Sequence, residues 1–146
     1  MNAGGVDKAC KSNAGGWTLE ARSWKCENVV DMKSYRDLDV YQRAQKLFPI
    51  VYRLVRTWSQ LEQRELGSQM IRAANSIHAN IAEGYGKTPN DFKRYLGTAI
   101  GSCDELASHI TDAHNVGLVD GETKNSLLSE YSIVGKQMNK LKQNWK

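Results

Sequence analysis

Apolar positions along most of this chain recur every three or four residues, and no stretch alternates with period two. Tyr41, Ala44, Phe48, Val51, Val55 and Trp58 stand 3, 4, 3, 4 and 3 apart, one apolar face sustained for about five turns. Leu66, Met70, Ala73 or Ala74, Ile77, Ile81 and Tyr85 form a second stripe. Phe92, Leu96, Ala99, Cys103, Leu106, Ile110 and Ala113 form a third, and Leu127, Tyr131, Val134, Met138, Leu141 and Trp145 a fourth. Four amphipathic helices are predicted, and no strand.

Local chemistry marks where they begin and end. Thr88 is an N-cap, Pro89 sits at the first helical position, and Asp91 lies three residues after the cap, a capping-box-like start. Gly117 suits the end of the third helix and Asp120 the cap of the fourth. Short connections favour antiparallel neighbours. The expected fold is all-α: an antiparallel up-down-up-down four-helix bundle over residues 35–146. Pro49 falls inside the first stripe, but at about 100° per residue it lies opposite the apolar face, so one bent helix is expected and not two.

Residues 1–34 read differently. "NAGG" occurs at 2–5 and again at 13–16, and Trp17 and Trp24 fall on no sustained period. Such a segment buries too little apolar surface to offset its ordering entropy, so it is expected to be a flexible or disordered N-terminal extension, with Met32 as the authentic start.

Composition narrows the class. The chain has 146 residues, 25% charged and 40% apolar, and a net charge of +4, which fits one globular domain. Three cysteines (Cys10, Cys26 and Cys103) stand far apart without a CxxC pair, which points to reduced thiols and against a zinc site. No apolar run approaches the roughly 20 residues of a membrane span, and the N-terminus lacks a signal-peptide core. A cytoplasmic protein with no membrane partner is expected.

Enzymatic chemistry finds little support. A di-iron bundle needs inward glutamates and Glu-x-x-His pairs, and His78, His109 and His114 have no such spacing. Ser102 and Ser108 near His109 lack an acid placed to orient the imidazole. Asn80 and Glu83 end the second helix beside Gly84, in "NIAEG". As a catalytic pair they want a clustered site around them. As a structural clasp, Asn80 satisfies backbone groups near the hairpin and Glu83 pairs with Lys93 or Arg94 across it. The clasp of Asn80, Glu83, Gly84 and Arg94 is the preferred reading, with no catalytic residue, no metal and no cofactor.

The stronger signal is on the first helix. Arg43, Lys46, Arg53 and Arg56 are spaced 3, 7 and 3 with no acid between Val40 and Leu61, and Arg36 extends the arc opposite the apolar stripe. Such a face suits phosphate. It equally describes an ordinary solvated face, or a protein-docking surface. Lys136, Lys140, Lys142 and Lys146 add positive charge toward the C-terminus. Gly67, Ser68, Ala73, Ala79 and Ala82 on the second helix suit close approach of another helix, from the same chain or another subunit.

Three segments carry a resemblance to a known family. "SYRDLDVYQRAQKL", "LGSQMIRAANSIHANIAEGYGK" and "DFKRYLGTAIGSCDELASHI" resemble, in order and register, the four-helix bundle proteins of the 23S rRNA intervening-sequence family. The similarity runs from about Tyr35 to Leu141. It implies a small up-down bundle, assembled in several relatives as a homopentamer, with some members encoded inside bacterial large-subunit rRNA genes. A related branch is similar to the accessory proteins of diversity-generating retroelements, which bind a reverse transcriptase and nucleic acid. No enzymatic activity is implied. The chain departs from the pattern at His78, where proline is common, at Ile100, where arginine is common, and at Pro49. Two readings follow: a homopentameric protein binding RNA or DNA by backbone charge, or an adaptor docking on a partner such as a reverse transcriptase.

Overall fold

The computed structural model describes residues 33–146. The extension read over residues 1–34 therefore lies outside the described residues as far as residue 32. Ser34 belongs to the folded unit. Its hydroxyl accepts from Arg36 N and its own amide donates to Asp37, capping a short 3-10 turn, Tyr35–Asp37.

Four long helices follow: α1 (Asp39–Arg56), α2 (Ser68–Tyr85), α3 (Pro89–Asn115) and α4 (Gly121–Asn144). Cross-helix neighbours fix their directions. Tyr35 lies near Tyr85, Tyr41 and Phe48 flank His78, and Val55 meets Gly67, so α1 and α2 run opposite ways. Gly84 touches Tyr95 and Ser76 bonds Ser102, which reverses α3 against α2. Phe92 against Trp145 and Cys103 against Tyr131 reverse α4 against α3. Arg43 reaches Glu130 and closes the ring from α1 to α4. The topology is up-down-up-down.

The predicted stripes are the core. Val51, Met70, Ile77, Ile81, Phe92, Leu96, Leu106, Ile110, Val134 and Met138 are fully buried. Caps behave as expected from the sequence: Thr88 Oγ1 accepts from Asp91 N, Asp120 from Thr123 N, and Gly117 takes a left-handed φ of 83°. That conformation lets Leu118 N close back on Ala113 O at 2.8 Å, which a side chain at residue 117 would resist. Pro49 is exposed on the outer face, and α1 runs through it uninterrupted.

The entry to α2 was not legible. A capped turn at Gln60–Glu62 leads into a π-helical stretch, Gln63–Gly67, before regular α-helix resumes. Gly67 is buried there against Val55, so closely that a Cβ would overlap the valine side chain. No helix among the described residues is long and apolar enough to cross a membrane.

Candidate nucleic-acid interface

The outer face of α1 carries the predicted cations, but the bundle divides them. Lys46, Arg53 and Arg56 are exposed, and none forms an ion pair among the described residues. Arg36 is exposed ahead of α1, its guanidinium 4.8 Å from the centroid of the Tyr35 ring.

Arg43 departs from the expectation. Its Nη1 donates to Glu130 Oε2 of α4 at 2.9 Å, and the carboxylate is only 13% exposed. Geometry explains the difference. Arg43 sits about 100° around the helix from the centre of the apolar stripe, not opposite it, and so points along the α1–α4 seam. Glu130 on the facing helix then needs a counter-charge as it leaves water. Arg43 is a seam residue, bonded to Glu130.

Asp39 also intrudes on this face, one residue before the acid-free stretch. Partial desolvation raises its carboxyl pKa above the ordinary value, while the charges of Arg43 and Lys46 pull against that rise. Between Lys46 and Arg53 the surface is apolar: Pro49 and Ile50 floor a shallow groove with Gln45 at its edge. Tyr52, 41% exposed, and Leu61, 62% exposed, add apolar surface on α1 and just after it.

The hinge clasp is built with different partners from those predicted. Asn80 Nδ2 donates to Ser76 O and Ser76 Oγ, one turn back on its own helix, at 2.8 and 2.9 Å. Ser76 Oγ in turn meets Ser102 Oγ of α3 at 2.8 Å, so Asn80 reaches α3 through a hydroxyl relay. Glu83 accepts from the Tyr95 hydroxyl at 3.2 Å, not from Lys93 or Arg94. Arg94 bonds Asp91 on its own helix, with Asp91 already held by Thr88. These two contacts, the threonine first, keep the Asp91 carboxyl below its usual pKa. Gly84 is the clasp's tightest point. A Cβ there would lie 2.5 Å from Tyr95 Cβ and 2.9 Å from Phe92 Cδ2.

Sequence reasoning passed over Lys87, Tyr95 and Thr98, which together with Asp91 and Arg94 line a shallow cleft beside the hinge. The tripeptide "KRY" at 93–95 was the available signal, but only the packing of Gly84 shows which way Tyr95 turns.

The histidines stay apart. His78 packs edge-on against Tyr41 and Phe48, with ring centroids 6.0 and 5.6 Å away, and burial lowers its pKa. His109 faces Glu105 and His114 the Val119 carbonyl. Among the described residues no group of three His, Cys, Asp or Glu side chains could hold a metal ion. Cys103 is buried, its thiol pushed up to about 11 by desolvation, and it donates to Tyr131 O at 3.1 Å. It is a packing residue in a core, as its place on the third stripe predicts.

Comparison with known proteins agrees with this architecture. A protein of unknown function from the S23 ribosomal protein family of Bacteroides thetaiotaomicron VPI-5482 has a crystal structure that superposes with a TM-score of 0.67 at 18% identity. The match covers 72% of this chain and 96% of that one, and at this identity it speaks for the fold alone. No curated protein matches the chain. The profile of the family described as 23S rRNA-intervening sequence protein matches residues 36–140, from the first cation of the α1 face to the last turns of α4. The chain belongs to the 23S rRNA-intervening sequence protein family.

Proposed function

We propose that this chain is a non-enzymatic, self-associating bundle that binds nucleic acid through its phosphate backbone. The observation carrying the proposal is the outer face of α1, where Lys46, Arg53 and Arg56 are exposed without an ion-pair partner among the described residues. Unpaired guanidinium and ammonium groups on a rigid helix are ready to displace condensed counterions from phosphate. Arg36 extends the face by one further cation. Arg43 contributes field but spends its directional bonding on Glu130.

A net charge of +4 is modest for one subunit. In a homopentamer, the assembly implied by the family resemblance, five such faces act on one strand and weak contacts multiply by avidity. Of the small residues, Gly67 and Ala73 are buried within the bundle, which leaves Ser68, Ala79 and Ala82 on the accessible side of α2 for such subunit contacts. A second reading has a specific observation behind it: the apolar groove of Pro49 and Ile50 divides Lys46 from Arg53, and phosphate has no use for it. That groove favours an adaptor docking on a protein such as a reverse transcriptase.

The test replaces Lys46, Arg53 and Arg56 with glutamine together. Nucleic-acid affinity should fall at least tenfold while helicity and oligomer size by light scattering stay unchanged, because all three side chains point away from the core. Unchanged affinity in this variant would leave the face as plain solvated surface. Absence of any nucleic-acid binding by the wild type at low salt would hand the face to the adaptor reading.

A further inference from the structure

The end of the bundle that holds the α2–α3 hinge gathers positive charge that is scattered along the sequence. Lys87, Lys93 and Arg94 surround the start of α3, Lys142 and Lys146 close the chain at α4, and Arg36 precedes α1. The contacts of Tyr35 with Tyr85 and of Phe92 with Trp145 hold these segments at one end. Three carboxylates nearby are already engaged, Asp37 with Ser34 N, Glu83 with the Tyr95 hydroxyl, and Asp91 with Thr88 and Arg94, while Asp39 faces Arg43 and Lys46. Along α3 and α4 toward the opposite end the balance reverses, although α1 brings Arg53 and Arg56 there. From Asp104 to Glu130 six carboxylates meet one lysine, Lys124.

Within the basic end, the hinge cleft offers more than charge. The Tyr95 ring borders it, held by its Cβ against Gly84 and by its hydroxyl on Glu83. Lys87 Nζ lies 5.9 Å from the ring centroid, and the Arg94 side chain is 81% exposed. Lys142 reaches across from α4, its amine 3.4 Å from where a Cβ on Gly97 would stand. At Gly101, one turn further along α3, a Cβ would meet nothing. A fixed aromatic ring and the cations Lys87 and Arg94 thus share the cleft with Asp91 and Thr98, while Lys142 adds charge from the α4 side of α3.

We infer that this cleft is a contact for single-stranded nucleic acid, in which Tyr95 stacks an unpaired base while Lys87 and Arg94 take the flanking phosphates. A duplex keeps its bases stacked on one another and cannot offer one to the ring, whereas a single strand can. Stacking is indifferent to base identity, so the contact reads strandedness and not sequence. The inference rests on the nucleic-acid reading above and adds to it a second contact with its own selectivity.

The test measures fluorescence anisotropy of a labelled oligo-uridine strand and of a duplex of equal length against the full-length protein. Tyr95→Leu should weaken single-strand binding about tenfold and leave duplex binding unchanged. Tyr95→Phe, which keeps the ring and loses only the hydroxyl, should bind the strand like wild type. Lys87→Gln combined with Arg94→Gln should weaken strand binding and flatten its salt slope by about 1.4, at about 0.7 per phosphate. Equal strand affinity in the Leu and Phe variants overturns the inference, as does an equal loss for duplex. Stronger binding to phosphatidylglycerol vesicles than to the strand also overturns it. If the wild type binds neither oligonucleotide, the nucleic-acid reading itself fails. If binding is lost in the Lys46/Arg53/Arg56 variant but not in these, only the cleft is wrong.

Discussion

Gly84→Ala is the smallest change that probes how tightly the hinge holds the bundle. An added Cβ would stand 2.5 Å from Tyr95 Cβ, 2.8 Å from its Cγ and 2.9 Å from Phe92 Cδ2. Carbon atoms prefer about 3.5–4.0 Å, so α2 and α3 must separate by roughly 1 Å. Rotation of a side chain cannot relieve the worst contact, because Tyr95 Cβ is fixed to the α3 backbone. Overpacking of this kind costs about 1–3 kcal/mol, and the upper end applies because Phe92 is fully buried beside it. Alanine returns about 1 kcal/mol through its better helix propensity, leaving a net loss of about 2 kcal/mol. At about 2.1 cal/mol/K of unfolding entropy per residue, that lowers the Tm of a folded unit of this size by roughly 8 °C. Gly101→Ala is the matched control: it adds the same methyl in mid-helix where nothing lies within 4 Å, and should raise Tm by a few degrees. Both are read by circular dichroism melts of purified protein. If Gly84→Ala melts at or above wild type, the helices do not approach at the hinge as described, and the clasp reasoning fails.

Three further outcomes follow from the same packing. A double-mutant cycle on Arg43→Ala and Glu130→Ala should give a coupling of about 1 kcal/mol, whereas Lys46→Ala should couple to Glu130→Ala not at all within error. Ala74→Asp, at a position 1% exposed, should cost several kcal/mol, while Lys124→Asp on the rim of α4 should stay within about ±0.5 kcal/mol; equal melting temperatures would put the α2 register in error. His78 has its pKa lowered in the folded state, so between its unfolded value near 6.5 and that lower value the unfolded chain binds more protons. Stability should therefore be fullest above that window and fall with pH through it, and Tm measured at pH 7.5 and 5.5 should drop less in His78→Gln than in wild type.

Much of the bundle was legible because four stripes sustain one period and their ends carry recognisable caps. Thr88, Gly117 and Asp120 act through local bonds that need no knowledge of the rest of the chain. What escaped depends on which helix lies beside which. Arg43 looked like a member of the outer arc until Glu130 faced it across the seam. Glu83 had two plausible cationic partners in Lys93 and Arg94, yet the close approach at Gly84 brought the Tyr95 hydroxyl to it first. The π-helical entry to α2 leaves no periodic trace, since Gly67 is there to admit Val55. Antiparallel topology, not any motif, collects Arg36, Lys87 and Lys142 at one end.

The central claim is that exposed cations on this bundle hold nucleic-acid phosphate, and a salt titration tests it most directly. Affinity for a labelled RNA strand is measured by anisotropy from about 50 to 200 mM salt, with light scattering to fix the assembly that binds. Each neutralised phosphate contributes about −0.7 to the slope of log K against log salt for a single strand, so three cations of one α1 face predict about −2, and several subunits on one strand predict more. A slope of about −2 or steeper, reduced by glutamine at Lys46, Arg53 and Arg56, is the predicted result. A flat slope, or no binding at the lowest salt, would contradict the account.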